Sequence, residues 1–217
     1  MSISVITVGG QSVKLISLPS SPGFKLVEYS ASDSVATVSS VFTGQVQAQE
    51  WPGADLWSWT VTMPKLTPEQ AADWVASLLQ CRGMANAFQL VDPMHATPRG
   101  SVAGTPLVDN TVTGSNAAMS QTLGTKGWTP LAAGVLKRGD QLQIGYRLHM
   151  VLDDVNADAS GKATLSISPS LREQPTDGGA IITTNPAGLF RLATNKRTWS
   201  ADPSRLTSLS FPVQEYR

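Results

Sequence analysis

The sequence predicts a mainly β fold with one α-helix, on three observations. Short runs rich in Val, Ile and Thr, several alternating with polar residues, recur from end to end. Turn compositions such as GGQ, PSSPG and SASDS separate them, in a chain holding 18 Gly and 14 Pro. One stretch, LTPEQAADWVASLLQCRG, carries the period of a helix instead.

The first strands are SISVITV, SVKLISL, FKLVEYS and VATVSSVF, continued by FTGQVQAQEW and DLWSWTVTMP. In the last of these, Trp57, Trp59, Val61 and Met63 alternate with Ser58, Thr60 and Thr62. Period two puts the apolar set on one face, as a core or a subunit contact. The helix follows over 67–82. Thr67 is its N-cap, Pro68 sits at the first position, and Gln70 completes a capping box. Ala71, Trp74, Val75, Leu78 and Leu79 form its apolar stripe. Arg82 suits the negative end of the dipole, and Gly83 is the expected C-cap. NAFQLVDP is the next strand, and DPMHATPRGSVAGTP is a Pro/Gly-rich connector.

A second strand-rich block reads LVDNTVT, AAMSQTLGTKGW, DQLQIGYRLHMVLDD, KATLSISPSL and GAIITTN. GLFRLATN then repeats the flavour of NAFQLVDP, with Phe88-Gln-Leu matched by Phe190-Arg-Leu. If those strands are neighbours, the block between them leaves one sheet and returns to it. The expected domains are therefore residues 1–98 plus 186–217, closed by the alternating tail SLSFPVQEY, and an inserted domain at 99–185.

Composition excludes several function classes. Hydrophobic residues make up 41% of the 217, enough for a core without disulfides or metals. Charged residues are only 15%, against the roughly 25% of an average soluble domain. Sixteen basic and sixteen acidic residues cancel, and no basic run stands out. A nucleic-acid groove needs such a footprint to neutralise phosphates, so nucleic-acid binding is not expected. No segment approaches the ~18 continuous apolar residues of a membrane span. The start, MSISVITVGG, lacks the basic and apolar regions of a signal peptide, which predicts synthesis and folding in the cytoplasm.

Chemistry-bearing residues are few. Cys81 is the sole cysteine, so no intramolecular disulfide or CxxC motif exists, and it reads as a half-buried structural residue. The two histidines are His95, a connector residue, and His149, expected as a partly exposed position on a strand. No GxSxG, HExxH or GxxxxGK[ST] pattern accompanies them, so neither catalysis nor a cofactor is expected. Of six Trp, Trp51 in EWPG and Trp128 in TKGWTPL lie beside turns and are the candidates for sugar or partner contact.

DDVNADASGKATL, residues 153–165, places Asp154, Asn156 and Asp158 at the first, third and fifth positions of a calcium-type loop. The pattern then fails. Ala159 stands where such a loop needs glycine, and Leu165 stands where it needs a bidentate Glu. The flanks RLHMVL and ATLSISP are strand-like, not helical. Asp, Asn, Ser and Gly also fill turns by bonding their own backbone, so a polar hairpin turn is expected in place of a metal site.

FTGQVQAQEWPGADLWSWTVTMPKLTPEQAADWVASLLQCRGMANAFQLVDP resembles the N-terminal half of tail proteins from siphophages of Gram-negative bacteria. In the second block the order GTPLV, GDQLQIG, DVNADASGKATL, PSLR and FRL is similar to that of distal tail proteins. The likeness covers roughly residues 40–195. It implies a β-sandwich-like, ring-forming domain carrying the helix, with an inserted β-barrel domain. It further implies a homo-oligomer, usually a hexamer, at the tail tip of the virion, joining the tail-tube protein to the baseplate hub protein. Tail-tube and tail-terminator proteins share the β-plus-one-helix plan but are simpler. A carbohydrate-binding module for host recognition is the alternative from another functional class.

Overall fold

The computed structural model describes residues 3–112 and 114–217. In chain order the first elements are β1 (Ile3–Val8), β2 (Gln11–Ile16), β3 (Leu26–Ser32), β4 (Val35–Ser39), β5 (Val46–Glu50) and β6 (Leu56–Thr62). They are followed by α1 (Pro68–Gln80), β7 (Phe88–Val91), β8 (Gly104–Val108), β9 (Thr122–Trp128), β10 (Gln141–Ile144) and β11 (Arg147–Val151). Last come β12 (Ala163–Ser168), β13 (Ile181–Ile182), β14 (Ala187–Leu192), β15 (Trp199–Ala201) and β16 (Thr207–Glu215). The fold is mainly β, with α1 the single α-helix among the described residues.

The chain forms two compact units. One takes in the chain up to Ser30, residues 57–90 and residues 188–217; the other takes in residues 31–56 and 91–187. The expected partition, 1–98 plus 186–217 against 99–185, left residues 31–56 with the first domain. They cluster with the second, for a local reason. The Asp55 carboxylate accepts from the Ser170 hydroxyl at 2.7 Å and from Arg172 Nη1 at 2.9 Å, and Gly53 N–H donates to Ser170 Oγ at 2.7 Å. Polar partners more than a hundred residues apart in sequence are invisible to a reading by segment.

In the first unit the main sheet runs β3-β6-β16-β14-β7, with β15 added to β16. β7 and β14 are neighbours, so the chain between them does leave this sheet and return to it. β6 alternates as its sequence requires: Trp57, Trp59, Val61 and Met63 are all buried. Trp59 packs with its ring centroid 4.3 Å from Phe190 and 5.2 Å from Tyr29. β1 and β2 form a hairpin in the register Ile3↔Ile16 to Val8↔Gln11, and β2 bonds alongside Ala87.

α1 begins with the expected capping box. Thr67 Oγ1 accepts from Gln70 N–H, and Gln70 Oε1 accepts from Thr67 N–H. Its buried stripe is Ala71, Trp74, Ser77 and Leu78. Trp74 makes edge and tilted contacts with Phe24 and Phe211 at 6.1 and 6.2 Å. Two expectations fail here. Leu79 lies off the stripe and is 47% exposed, because at 100° per residue it rotates past the face that Trp74 and Leu78 define. The C-cap is Cys81, not Gly83. The chain leaves the helical direction one residue later, at Arg82, which is left-handed with φ 50°.

The second unit is built around a six-stranded sheet in the order β13-β10-β11-β12-β9-β8. The bridge Leu107↔Ala180 and the bond from Val108 N–H to Gly179 O (2.9 Å) join its two ends, giving a nearly closed barrel. Its core is Val108, Leu123, Val135, Leu136, Leu142, Val151, Leu165 and Ile167, none with measurable exposure. Several strands are shorter than their sequences suggest. LVDNTVT contributes only its start to β8, DQLQIGYRLHMVLDD folds back at Gly145–Tyr146 into β10 and β11, and GAIITTN yields two strand residues. β4 and β5 also belong to this unit and pair only with each other, Val35↔Glu50 to Ser39↔Val46.

Candidate functional site

The polar residues of the second unit are the obvious place to look for chemistry, and backbone and ion-pair duties occupy them. Asp109, buried at the end of β8, accepts from Thr111 N–H and Oγ1 and lies 2.8 Å from Lys162 Nζ. Lys126 bridges toward it at 3.9 Å while bonding Asp177 at 2.9 Å. The hydrogen bond from Lys162 and then those from Thr111 hold the Asp109 carboxyl well below the usual carboxylate range. Burial pushes Asp55 up, but bonds from Ser170 and Arg172 outweigh it and leave that group lowered too.

Both carboxylates are more acidic folded than unfolded. Their stabilisation is therefore complete above the ordinary value of 3.8 and disappears as pH falls through the lower folded values. Urea denaturation as a function of pH should show the second unit losing stability progressively below about pH 4. Asp109→Asn should flatten that profile, and an unchanged profile would refute the assignment.

His95 sits in a turn with Nδ1 2.6 Å from Asp92 Oδ2, an oxygen that also accepts from Gln141 Nε2 at 2.9 Å. His149 differs from its expected partial exposure: it is 1% exposed. Its Nδ1 lies 2.7 Å from the Pro169 carbonyl, which can only accept, so Nδ1 carries the proton. The strand face that alternation assigned to solvent is covered, because the barrel wall at β10 and β11 is buried on both sides. Cys81 is also fully buried, its thiol donating to Ser77 O at 3.4 Å, and burial raises its pKa to about 11. A thiol so protonated is a poor nucleophile.

The stretch 153–165 shows why it imitates a calcium loop. Val155 and Ala157 are buried, and the segment pairs in extended form with 132–136 through Val135 N–H to Val155 O and Ala157 N–H to Ala132 O, both 2.9 Å. The alternate side chains face the other way and cap backbone donors. Asp154 accepts from Arg138 N–H, Asn156 from Gly134 N–H, and Asp158 from Ser160 and Lys162 N–H. The period of two is that of an extended segment. The link between β11 and β12 is thus a long paired excursion, more than the simple turn expected. Gly161 ends it with φ 70°, where a Cβ would lie 2.3 Å from Trp128 O. Among the described residues no group of three His, Cys, Asp or Glu could hold a metal ion.

Of the two tryptophans expected at turns, Trp51 is 55% exposed, whereas Trp128 is 3% exposed. The Trp128 indole N–H donates to Thr125 Oγ1 at 2.7 Å, so it is a barrel core residue and not a contact platform. Trp199, 48% exposed, lines an open groove of about 430 Å³ in the first unit with Lys25, Lys65 and Ser208.

The most unusual surface is apolar. Every residue of β4 and β5 is exposed, on both faces of the ribbon. At its turn Val41 and Phe42 are 94% and 98% exposed. The strand that VATVSSVF predicts stops short of these two, which are the tip of a hairpin. From Ser34 to Gln49 there is no Asp, Glu, Lys or Arg. That run was legible, since turns carrying an adjacent Val-Phe pair without charge are unusual, and a two-stranded ribbon is marginal in water unless something covers it.

No protein-family model and no curated protein matches the chain. No helix of the described residues is long and apolar enough to cross a membrane.

Proposed function

We propose that this chain is a virion structural protein, the distal ring of a siphophage tail, assembled from copies of itself, with six the expected number. In the virion the ring joins the tail-tube protein to the baseplate hub. The observation that carries the reading is the hairpin Val35–Glu50, free of charge as far as Gln49, whose apolar tip is almost wholly exposed. A monomer gains nothing by presenting such a surface, whereas an assembly covers it. The resemblance of residues 40–195 to tail proteins supplies the kind of assembly. The order β7, barrel, β14 supports the distal ring over simpler tube or terminator proteins, since it gives the chain a second domain. Negative-stain images of the purified protein are expected to show closed rings of about sixfold symmetry. A protein found only as a monomer, and absent from purified tails, would overturn the proposal.

A further inference from the structure

The groove beside Trp199 holds the most specific exposed chemistry of the molecule. In the Asp92–His95–Gln141 cluster the carboxylate and imidazole occupy each other, and among the described residues no third metal-ligating group joins them. The groove lies in the first unit, and one face of the main sheet forms its floor. Alternation along β16 sends Leu209 and Phe211 into the core and leaves Ser208 and Ser210 on the other face. Each has a hydroxyl directly across the sheet: Thr62 of β6 opposite Ser210, and Ser200 of β15 opposite Ser208. The floor is thus a grid of four hydroxyls, spaced about 5 Å across strands and about 7 Å along them. Thr62 and Ser210 share one hydrogen bond of 3.2 Å, whereas among the described residues the Ser200 and Ser208 hydroxyls have no partner. Trp199, 48% exposed, forms one wall. Lys25 and Lys65 supply the charge. Lys65 is bonded to Asp202 at 3.0 Å, while Lys25 has no acidic partner, and no acidic side chain lines the groove, among the described residues.

We infer that this groove binds a saccharide carrying an acidic group, a carboxylate or a phosphate. Its three features each call for a different part of one ligand. The exposed indole presents a flat apolar face whose negative π-cloud attracts the C–H groups of a sugar ring. Side-chain hydroxyls both donate and accept, so a grid of them matches a polyol, whose own hydroxyls do the same. An alkyl chain or an apolar peptide would desolvate those hydroxyls without giving them partners. Two lysines with no lining carboxylate set the sign of the ligand's charge. Lys25 takes the acidic group, because Lys65 already holds Asp202. The volume of about 430 Å³ falls within the roughly 300–1,000 Å³ of small-ligand sites, room for a short saccharide. The site does not depend on the ring reading.

The test is a glycan array probed with the full chain, carrying uronic-acid, sialylated and phosphorylated glycans beside neutral ones. Retention on acidic glycans is expected, and the set retained identifies the acidic group. Trp199→Ala should abolish that retention. Lys25→Gln should weaken it about tenfold, the scale for losing one hydrogen bond to a charged group. Both positions are exposed, so the unfolding midpoint should stay unchanged in each variant. Inorganic phosphate at the ligand's own concentration should not displace the glycan. Displacement by phosphate would reduce the groove to a simple anion site and overturn the saccharide. Equal retention of neutral and acidic glycans, unmoved by Lys25→Gln, would refute the role of charge. Retention that survives Trp199→Ala would place any sugar site elsewhere. A silent array would sink the inference outright, and closed rings in negative stain would still leave the ring reading standing.

Discussion

Asp55→Ala is expected to destabilise the second unit by about 3 kcal/mol, the scale for removing one partner of a buried ion pair. The side chains of Asp55 and Arg172 are only 13% and 9% exposed, so Arg172 would lose its carboxylate partner in a largely water-excluded place. The Ser170 N–H and hydroxyl and Arg172 Nη1 would all lose the carboxylate they donate to at once, while Arg172 Nη2 keeps the backbone carbonyl of residue 55. Hydrogen exchange should show faster opening in β9, β11 and β12 and in residues 53–56 together, because this carboxylate ties those segments to the barrel. Adding Arg172→Met should recover part of the loss, since the pair then goes without leaving an unpaired charge. If Asp55→Ala alone left exchange unchanged, the carboxylate would not be what joins residues 53–56 to the barrel.

Trp59→Ala is expected to cost the first unit about 4 kcal/mol, the range for truncating a buried aromatic residue. Trp59 is 3% exposed, and its ring lies 4.3 Å from Phe190, 5.2 Å from Tyr29 and 6.5 Å from Trp57. Alanine would remove three aromatic contacts and open a cavity between β6 and β14 that these rings are too stiff to refill. Urea denaturation followed by Trp fluorescence measures the loss. Trp59→Phe, which keeps an aromatic ring against Phe190, should cost clearly less. Equal costs for the two variants would argue against ring packing as the source.

Much of the fold was legible because it rests on local rules. The alternation of Trp57, Trp59, Val61 and Met63 fixed which face of β6 is buried, and the capping box of Thr67 and Gln70 fixed where α1 begins. The echo of Phe88-Gln-Leu in Phe190-Arg-Leu correctly pointed to neighbouring strands. Each signal lies within a few residues or depends on a period that burial imposes.

Where a residue's environment is set by distant chain, the sequence alone was mute or misleading. Trp128 beside its turn and His149 on its alternating strand both looked accessible, yet barrel closure buries them. Residues 31–56 read as part of the first domain until Ser170 and Arg172, over a hundred positions away, claimed Asp55. The spacing of Asp154, Asn156 and Asp158 was visible from the start and already failed as a calcium loop. Only the tertiary structure showed that each caps a neighbouring backbone N–H while Val155 and Ala157 enter the core. Local sequence determined most of the elements, the buried face of β6 and the start of α1. Tertiary structure decided what covers each face, because burial depends on which other segments arrive, and it left Val41 and Phe42 almost wholly exposed.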